Sequence, residues 1–385
     1  MARALGVEQY GLLQYTLGLV AAFSSISFIC GAEVLVPPLV TATPAERKRL
    51  LGNAFVLRQA ASVVAYICLL IFAWVAEDRG NFYLIALIGS MMLWSESFIV
   101  TTVWFQAQTN IKPRSILSFI SLTVKLLIVF TLYRNSEKRV FHYALAYLID
   151  SLILSIGMML IYKIKTGELF FEFNKNDAFN LLKKSIPFLI GLMAMSFYQR
   201  VDLIFLKHIS RPHDFGIYAA AMQLVTPIAA IASMISFSLA PRYVYSQKDI
   251  VIAHKNVGKI TVFMFAISVM IAALICVTGE FFIRFLFGEK FSDSASSFRY
   301  LIWIICPIFI DSALNIAFVQ NQLGKFLAYK WIIALIISAT AHILLIPNFR
   351  NFGAIAGCMI GYISVCIFDA ITYVRTSRRI NTIKV

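Results

Sequence analysis

Stretches of about 20 apolar residues, long enough to cross a hydrocarbon core about 30 Å thick, recur from end to end of this chain. Within lipid a backbone must satisfy its own N–H and C=O groups, which leaves only helices and closed barrels. Barrel strands alternate apolar and polar residues over about ten positions, whereas these runs are long and continuous. An all-α polytopic membrane protein is therefore expected. Spans are placed near 11–36, 54–76, 82–106, 115–133, 140–163, 185–206, 217–240, 257–278, 296–320, 328–347 and 352–374, about 11 in all. Composition agrees: of 385 residues 60% are hydrophobic and 14% charged, against about 25% charged in ordinary soluble domains.

A net charge of +15 invites a nucleic-acid reading, but the basic residues sit in short loops between spans. About 20 of the 34 Lys and Arg fall in alternate loops that include AERKRL, KIKTGE and the C-terminal RTSRRINTIK, which makes those loops cytoplasmic. No nucleic-acid partner is expected. The C-terminus is then inside and the N-terminus as written outside. The six cysteines lie singly in apolar segments, so neither a disulfide frame nor a zinc site is indicated, and no metal or cofactor is expected. MARALGVEQY has no apolar core of a signal peptide.

Two halves resemble each other. An aromatic-Gly pair, an apolar span and a closing Pro run from Gly11 to Pro37 and again from Gly216 to Pro241. Gln106 and Gln108 close one span, Gln320 and Gln322 another; the segment from Phe141 matches that from Phe352. The offsets, near 205, 214 and 211 residues, are consistent with a duplicated half in the same orientation. The second copy carries an insertion, GEFFIRFLFGEKF, which reads as amphipathic and lying along the outer interface. A full span precedes Gly216, but only ten residues precede Gly11, so the first helix of the first half is expected to be missing. The expected division is an incomplete N-terminal bundle, 1–175, and a C-terminal bundle, 176–385.

Charge inside a span is costly, and such residues face a cavity or a partner. Lys125 lies mid-span with Ser118 and Ser121 on its face, as either a structural ion pair or a cationic cavity wall. Arg58 follows a basic loop by a turn or two and can snorkel to the cytoplasmic headgroups. Arg200 and Asp202 interrupt LIGLMAMSFYQRVDLIFLKHI two residues apart, a turn of roughly 200° on a helix, so they are not expected to pair. Asp311, in line with Asn315 and Gln322, and Asp150, in line with Tyr143 and Tyr147, are either buried hydrogen-bond caps or carriers of Na⁺ or a proton. Glu96 fits the same description, Asp202 joins these ion-coupling candidates, and Gln223 joins Ser118, Ser121 and Asn315 as cavity polar groups. Glu33, Glu280 and Asp369 read as interfacial, and the aromatic flanks FAW, YLIWI and YKW as headgroup anchors. Scattered histidines and short loops offer no catalytic constellation, no nucleotide loop is present, and a non-enzyme is expected.

Four stretches, GVEQYGLLQYTLGLVAAFSSIS, RLLGNAFVLRQAAS, SIPFLIGLMAMSFYQRVDLIFLKHISRPHDFGIYAAAMQLV and IRFLFGEKF, resemble the Wzx-like polysaccharide flippases of the multidrug/oligosaccharidyl-lipid/polysaccharide exporter superfamily. The resemblance covers the chain apart from a first helix and is most specific over 184–242. It implies a twelve-helix, two-bundle fold that moves undecaprenyl-diphosphate-linked oligosaccharide repeat units from the cytoplasmic to the periplasmic leaflet of a bacterial inner membrane. The product would feed O-antigen, capsule or exopolysaccharide synthesis, with a polymerase and a chain-length regulator as partners beside the membrane lipids. On that reading a cationic cavity walled by Arg58, Lys125 and Arg200 holds the diphosphate, because Arg forks onto phosphate oxygens and Lys meets them as a point charge. Na⁺ or H⁺ taken up at Asp150, Asp202, Asp311 or Glu96 would drive release. The alternative is a multidrug/toxin-type cation antiporter of the same superfamily, whose cavity should favour acids. A lipid II flippase and a glycan polymerase or ligase fit less well.

Overall fold

A computed structural model of the protein describes residues 1–135, 139–169, 171–247, 249–321 and 324–383, and among them the regular structure is helical. Gln322, expected on the stripe of Asp311, lies outside the described residues. Among the described residues ten helices are long and apolar enough to cross a membrane, and a bent pair makes up to eleven. The expectation of about 11 spans is met. Two compact units are present: Met1, Arg3–Leu5 and Leu12–Phe197 in the first, and Ala2, Gly6–Gly11 and Tyr198–Val385 in the second.

The first unit runs α1 (Ala2–Ser27), α2 (Ala32–Thr41), α3 (Pro44–Ala76), α4 (Arg79–Glu96), α5 (Thr101–Ala107), α6 (Lys112–Arg134), α7 (Val140–Thr166) and most of α8 (Lys175–Tyr198). The expected first span is thus two helices, α1 and α2, bent by 46°. Its break falls where Cys30 takes a positive φ of 58° and Gly31 follows, and Pro37 and Pro38 inside α2 cannot donate backbone hydrogen bonds. Starts and stops follow local chemistry. Thr43 and Glu46 form a capping box on α3, Asp78 caps α4 through the Asn81 N–H at 3.2 Å, and Gly167 ends α7 in the left-handed region. The helices pack as α3 on α4, α4 on α7, α6 on α7 and α2 on α5. Leu35, Leu51, Val100, Phe105 and Met158 lie in a buried cluster, while Trp74, Ile71 and Phe119 are exposed, as lipid-facing positions should be.

The second unit runs α9 (Val201–Ile209), α10 (Pro212–Ala240), a π-helical turn (Pro241–Tyr245), α11 (Ile250–Phe287), α12 (Ser294–Leu301), α13 (Ile305–Gln320), α14 (Gly324–Phe349) and α15 (Asn351–Ile383). Here α14 packs on α15 and α9, α13 on α10, α11 and α15. The expected surface insertion is not a separate element. Gly279–Phe287 forms the last turns of α11, whose 38 residues span about 57 Å at 1.5 Å each, and the stretch is amphipathic as expected, with Ile283, Phe287 and Phe291 buried and Phe281, Phe282, Phe285 and Leu286 exposed. The expected span 185–206 is likewise broken, at Gln199 and Arg200, between α8 and α9.

Candidate functional site

In the first unit, three of the predicted groups have committed partners. Arg58 is buried on α3, and its Nε and an Nη donate to the carbonyls of Ile29 and Cys30, each at 3.0 Å. It does not snorkel. The opening between α1 and α2 leaves carbonyls without helical partners, and the guanidinium fork meets two of them at once. Lys125 on α6 donates to Asp150 on α7 at 2.6 Å, with the two side chains 18% and 19% exposed. The ammonium also stands 4.9 Å from the centre of the Tyr147 ring. Neither charge bears the full cost of burial alone.

The serines expected beside Lys125 divide. Ser121 is buried and donates to the Ser118 carbonyl at 3.1 Å, a local helix bond, while the Ser118 side chain is half-buried. Glu96, at the end of α4, is half-buried with no hydrogen bond or ion pair among the described residues. Neighbouring hydroxyls do find partners: Ser62 meets Ser97 at 3.1 Å, and Ser95 meets Ser151.

In the second unit, Arg200 and Asp202 do not pair, but the reason is the helix break rather than a rotation along one helix. Arg200 is the cap residue of α9, half-buried, with no hydrogen bond or ion pair among the described residues. Asp202 is buried in the first turn of α9 and accepts from the Tyr218 hydroxyl of α10 at 2.6 Å, while its Oδ1 is buried with no partner among the described residues. Tyr218 also lies 3.5 Å from the Cys358 thiol, which lies 3.7 Å from Nε2 of His342. Gln223 is exposed on α10, away from any hydrogen-bonding partner among the described residues.

Asp311 and Asn315 come together with a residue the sequence reading passed over. Lys330 of α14 has a fully buried side chain. Its ammonium is hydrogen-bonded to Asp311, to Asn315 at 2.7 Å, and to both oxygens of Asp369 on α15 at 3.2 and 3.3 Å. The rings of Phe318 and Trp331 lie 5.3 Å from it. Asp369, read as interfacial from its place near a span end, is instead fully buried, because α15 continues well past it. Lys330, in the YKW that reads as a headgroup anchor, points inward. The signal that could have found the cluster was pairing across spans: one buried base needs acids on the helices it packs against. A charge removed from one side of such a pair costs on the order of 3–5 kcal/mol.

A family model described as "Polysaccharide biosynthesis protein" matches residues 1–247. No curated protein matches the chain. Among solved structures, the fold is similar to an inward-facing multidrug resistance MATE family transporter of the MOP superfamily, at a TM-score of 0.74 and 10% identity, covering 100% of this chain and 96% of that one. It is similar to the lipid II flippase MurJ in an inward closed conformation, at a TM-score of 0.76 and 12% identity, covering 96% and 85%. A MOP superfamily transporter from Pyrococcus furiosus, described as having a binding pocket of reverse polarity, aligns at 0.61 and 14% identity, covering 100% and 88%. At these identities the likeness is one of fold.

Proposed function

The chain belongs to the polysaccharide biosynthesis protein family, and on that premise we propose that it is a flippase for undecaprenyl-diphosphate-linked oligosaccharide repeat units. It carries them from the cytoplasmic to the periplasmic leaflet by alternating access, coupled to a cation, in the bacterial inner membrane with its C-terminus in the cytoplasm. The observation that carries this reading is Arg200. A guanidinium at a broken transmembrane helix, with no partner among the described residues, is costly unless an anion visits it. Its planar fork matches two phosphate oxygens at once, and the first N–H groups of α9 add the positive end of a helix to the same side.

Within the first unit, Lys125 is the candidate anion contact, exchanging Asp150 for a phosphate oxygen, since that pair is partly exposed. Arg58 has its donors on backbone carbonyls and acts by holding the α1–α2 break. An organic-cation antiporter would gain nothing from an unpaired guanidinium, which repels its substrate.

The test is complementation of a strain lacking the native gene. Arg200→Ala is expected to reach the membrane at normal abundance, abolish surface polysaccharide and leave lipid-linked repeat units on the cytoplasmic leaflet. Normal surface polysaccharide with that variant overturns the reading.

A further inference from the structure

The bases Arg47, Lys48 and Arg49 stand together in the first turns of α3, and their fates differ. Lys48 meets Glu168 at 2.8 Å and Arg49 meets Asp177 at 3.0 Å, both acids lying beyond the end of α7. Arg47 turns instead to aromatic side chains. Its guanidinium carbon stands 5.6 Å from the centre of the Trp104 ring on α5, and the Tyr162 hydroxyl of α7 is within hydrogen-bonding reach. The Arg47 Nε is buried with no hydrogen-bond partner among the described residues. Glu168, the acid that also lies near Tyr162, is already held by Lys48.

One turn along α7 from Tyr162, the ammonium of Lys165 stands 5.4 Å from the centre of the Phe105 ring. The three rings make one platform. Trp104 packs edge-on against Phe105 at 4.8 Å and against Tyr162 at 5.2 Å, centre to centre. Phe105 and Tyr162 are buried, and Trp104 is half-buried. Stacking on a ring engages the face of a guanidinium, while its N–H donors lie in the plane, so the fork that matches phosphate oxygens stays open. Rings attract these two charges but do not neutralise them. An anion would.

Depth says which anion. Ile156, Leu160 and Ile164 of α7 are all exposed, as lipid-facing positions should be, so hydrocarbon reaches the last turn of this helix. Tyr162 and Lys165 belong to that turn. The platform therefore lies at headgroup level, where Trp and Tyr collect and where bases at helix ends hold anionic headgroups.

We propose that Arg47 and Lys165, over the Trp104, Phe105 and Tyr162 rings, bind the phosphodiester headgroup of an anionic phospholipid of the surrounding bilayer. Arg47 offers its fork to the phosphate oxygens, and Lys165 meets the same charge from α7. Lys48 and Arg49, already paired, take no part. Headgroup binding here does not require that the chain carry a lipid-linked sugar.

The experiment uses the full-length protein in lipid nanodiscs and reads the fluorescence of Trp104 as the difference between wild type and Trp104→Phe. Phosphatidylglycerol brominated high on its acyl chains is titrated into unlabelled phosphatidylcholine, and its quenching is compared with that by brominated phosphatidylcholine. Two bases are worth about fivefold each near a membrane surface. Wild type is therefore expected to be half-quenched at a fraction of the anionic lipid more than about tenfold lower than that of the zwitterionic one. Arg47→Gln and Lys165→Gln should each raise that fraction about fivefold. Lys184→Gln, which removes an exposed base of α8, should leave it unchanged.

Equal quenching by the two lipids in wild type overturns the proposal, as does an unchanged preference in both Arg47→Gln and Lys165→Gln. A loss as large in Lys184→Gln would mean diffuse attraction to the whole basic end and would also overturn it. Reversal of the preference by inorganic phosphate at constant ionic strength would mean a small-anion site and would overturn the assignment to lipid. Should Arg47→Gln fail to fold, Lys165→Gln and the wild-type titrations decide.

Discussion

Gly11 and Gly216, which occupy matching positions in the two sequence repeats, meet each other: a Cβ on Gly11 would lie 2.8 Å from the Cα of Gly216. A Cβ on Gly216 would lie 2.3 Å from the Val7 carbonyl oxygen. Both obstacles are backbone, so no side-chain rotation relieves them. Small residues let membrane helices approach this closely, and here the small residue is needed at both positions.

Gly216→Ala is therefore expected to destabilise the protein by about 1–3 kcal/mol, the usual cost of overpacking. Gly80→Ala is the control, since its nearest neighbour would stand 3.9 Å away. Thermal unfolding in detergent should show a lower midpoint for the first and little change for the second. Equal midpoints would mean that the backbones separate freely.

Arg58→Ala should cost more than the loss of one surface charge, because the Ile29 and Cys30 carbonyls lose the fork that bridges them. Each buried acceptor left unsatisfied costs about 1–3 kcal/mol. The expected result is a sharp fall in the amount of protein recovered from membranes. Arg58→Lys should recover only part of it, since one ammonium does not reproduce the fork. Full recovery with Lys would show that charge rather than geometry is what the break requires.

Lys125 and Asp150 can be separated into stability and transport by a double-mutant cycle. Their coupling energy should be on the order of 1 kcal/mol, given their partial exposure. Lys125→Ala with Asp150→Ala should regain part of the stability that either single variant loses, yet leave surface polysaccharide absent. Restored polysaccharide in the double variant would assign the pair to structure alone.

Tyr218 and Asp202 offer the converse separation. Asp202→Asn keeps an acceptor for the Tyr218 hydroxyl, now 2.6 Å from the carboxylate, so thermal stability should change little while the buried charge is gone. Tyr218→Phe removes the donor and keeps the acid, at about 1–3 kcal/mol for the unsatisfied carboxylate. If both variants lose the same stability, the hydrogen bond does not explain the burial of Asp202.

The helical class, the number of spans and their approximate ends were legible because apolar length is read directly in residues. Breaks were not. YQRVD carries no Gly or Pro, yet α8 stops at Tyr198 and Arg200 opens the next helix; nothing local announces that. Lys125 and Asp150 stood out because each interrupts an apolar run. Lys330 did not, since AYKWII looks like an aromatic flank with a snorkelling base, and Asp369 looked like a span end. Both become visible only when α13, α14 and α15 are packed together, as pairing is a property of three helices and not of one.

The opening between α1 and α2 also constrains how the protein is made. Ile29 and Cys30 emerge from the ribosome well before Arg58, whose side chain meets their carbonyls. A nascent bent span with bare carbonyls cannot settle in hydrocarbon, so insertion of α1 and α2 has to wait, sheltered from lipid, until α3 has been synthesised.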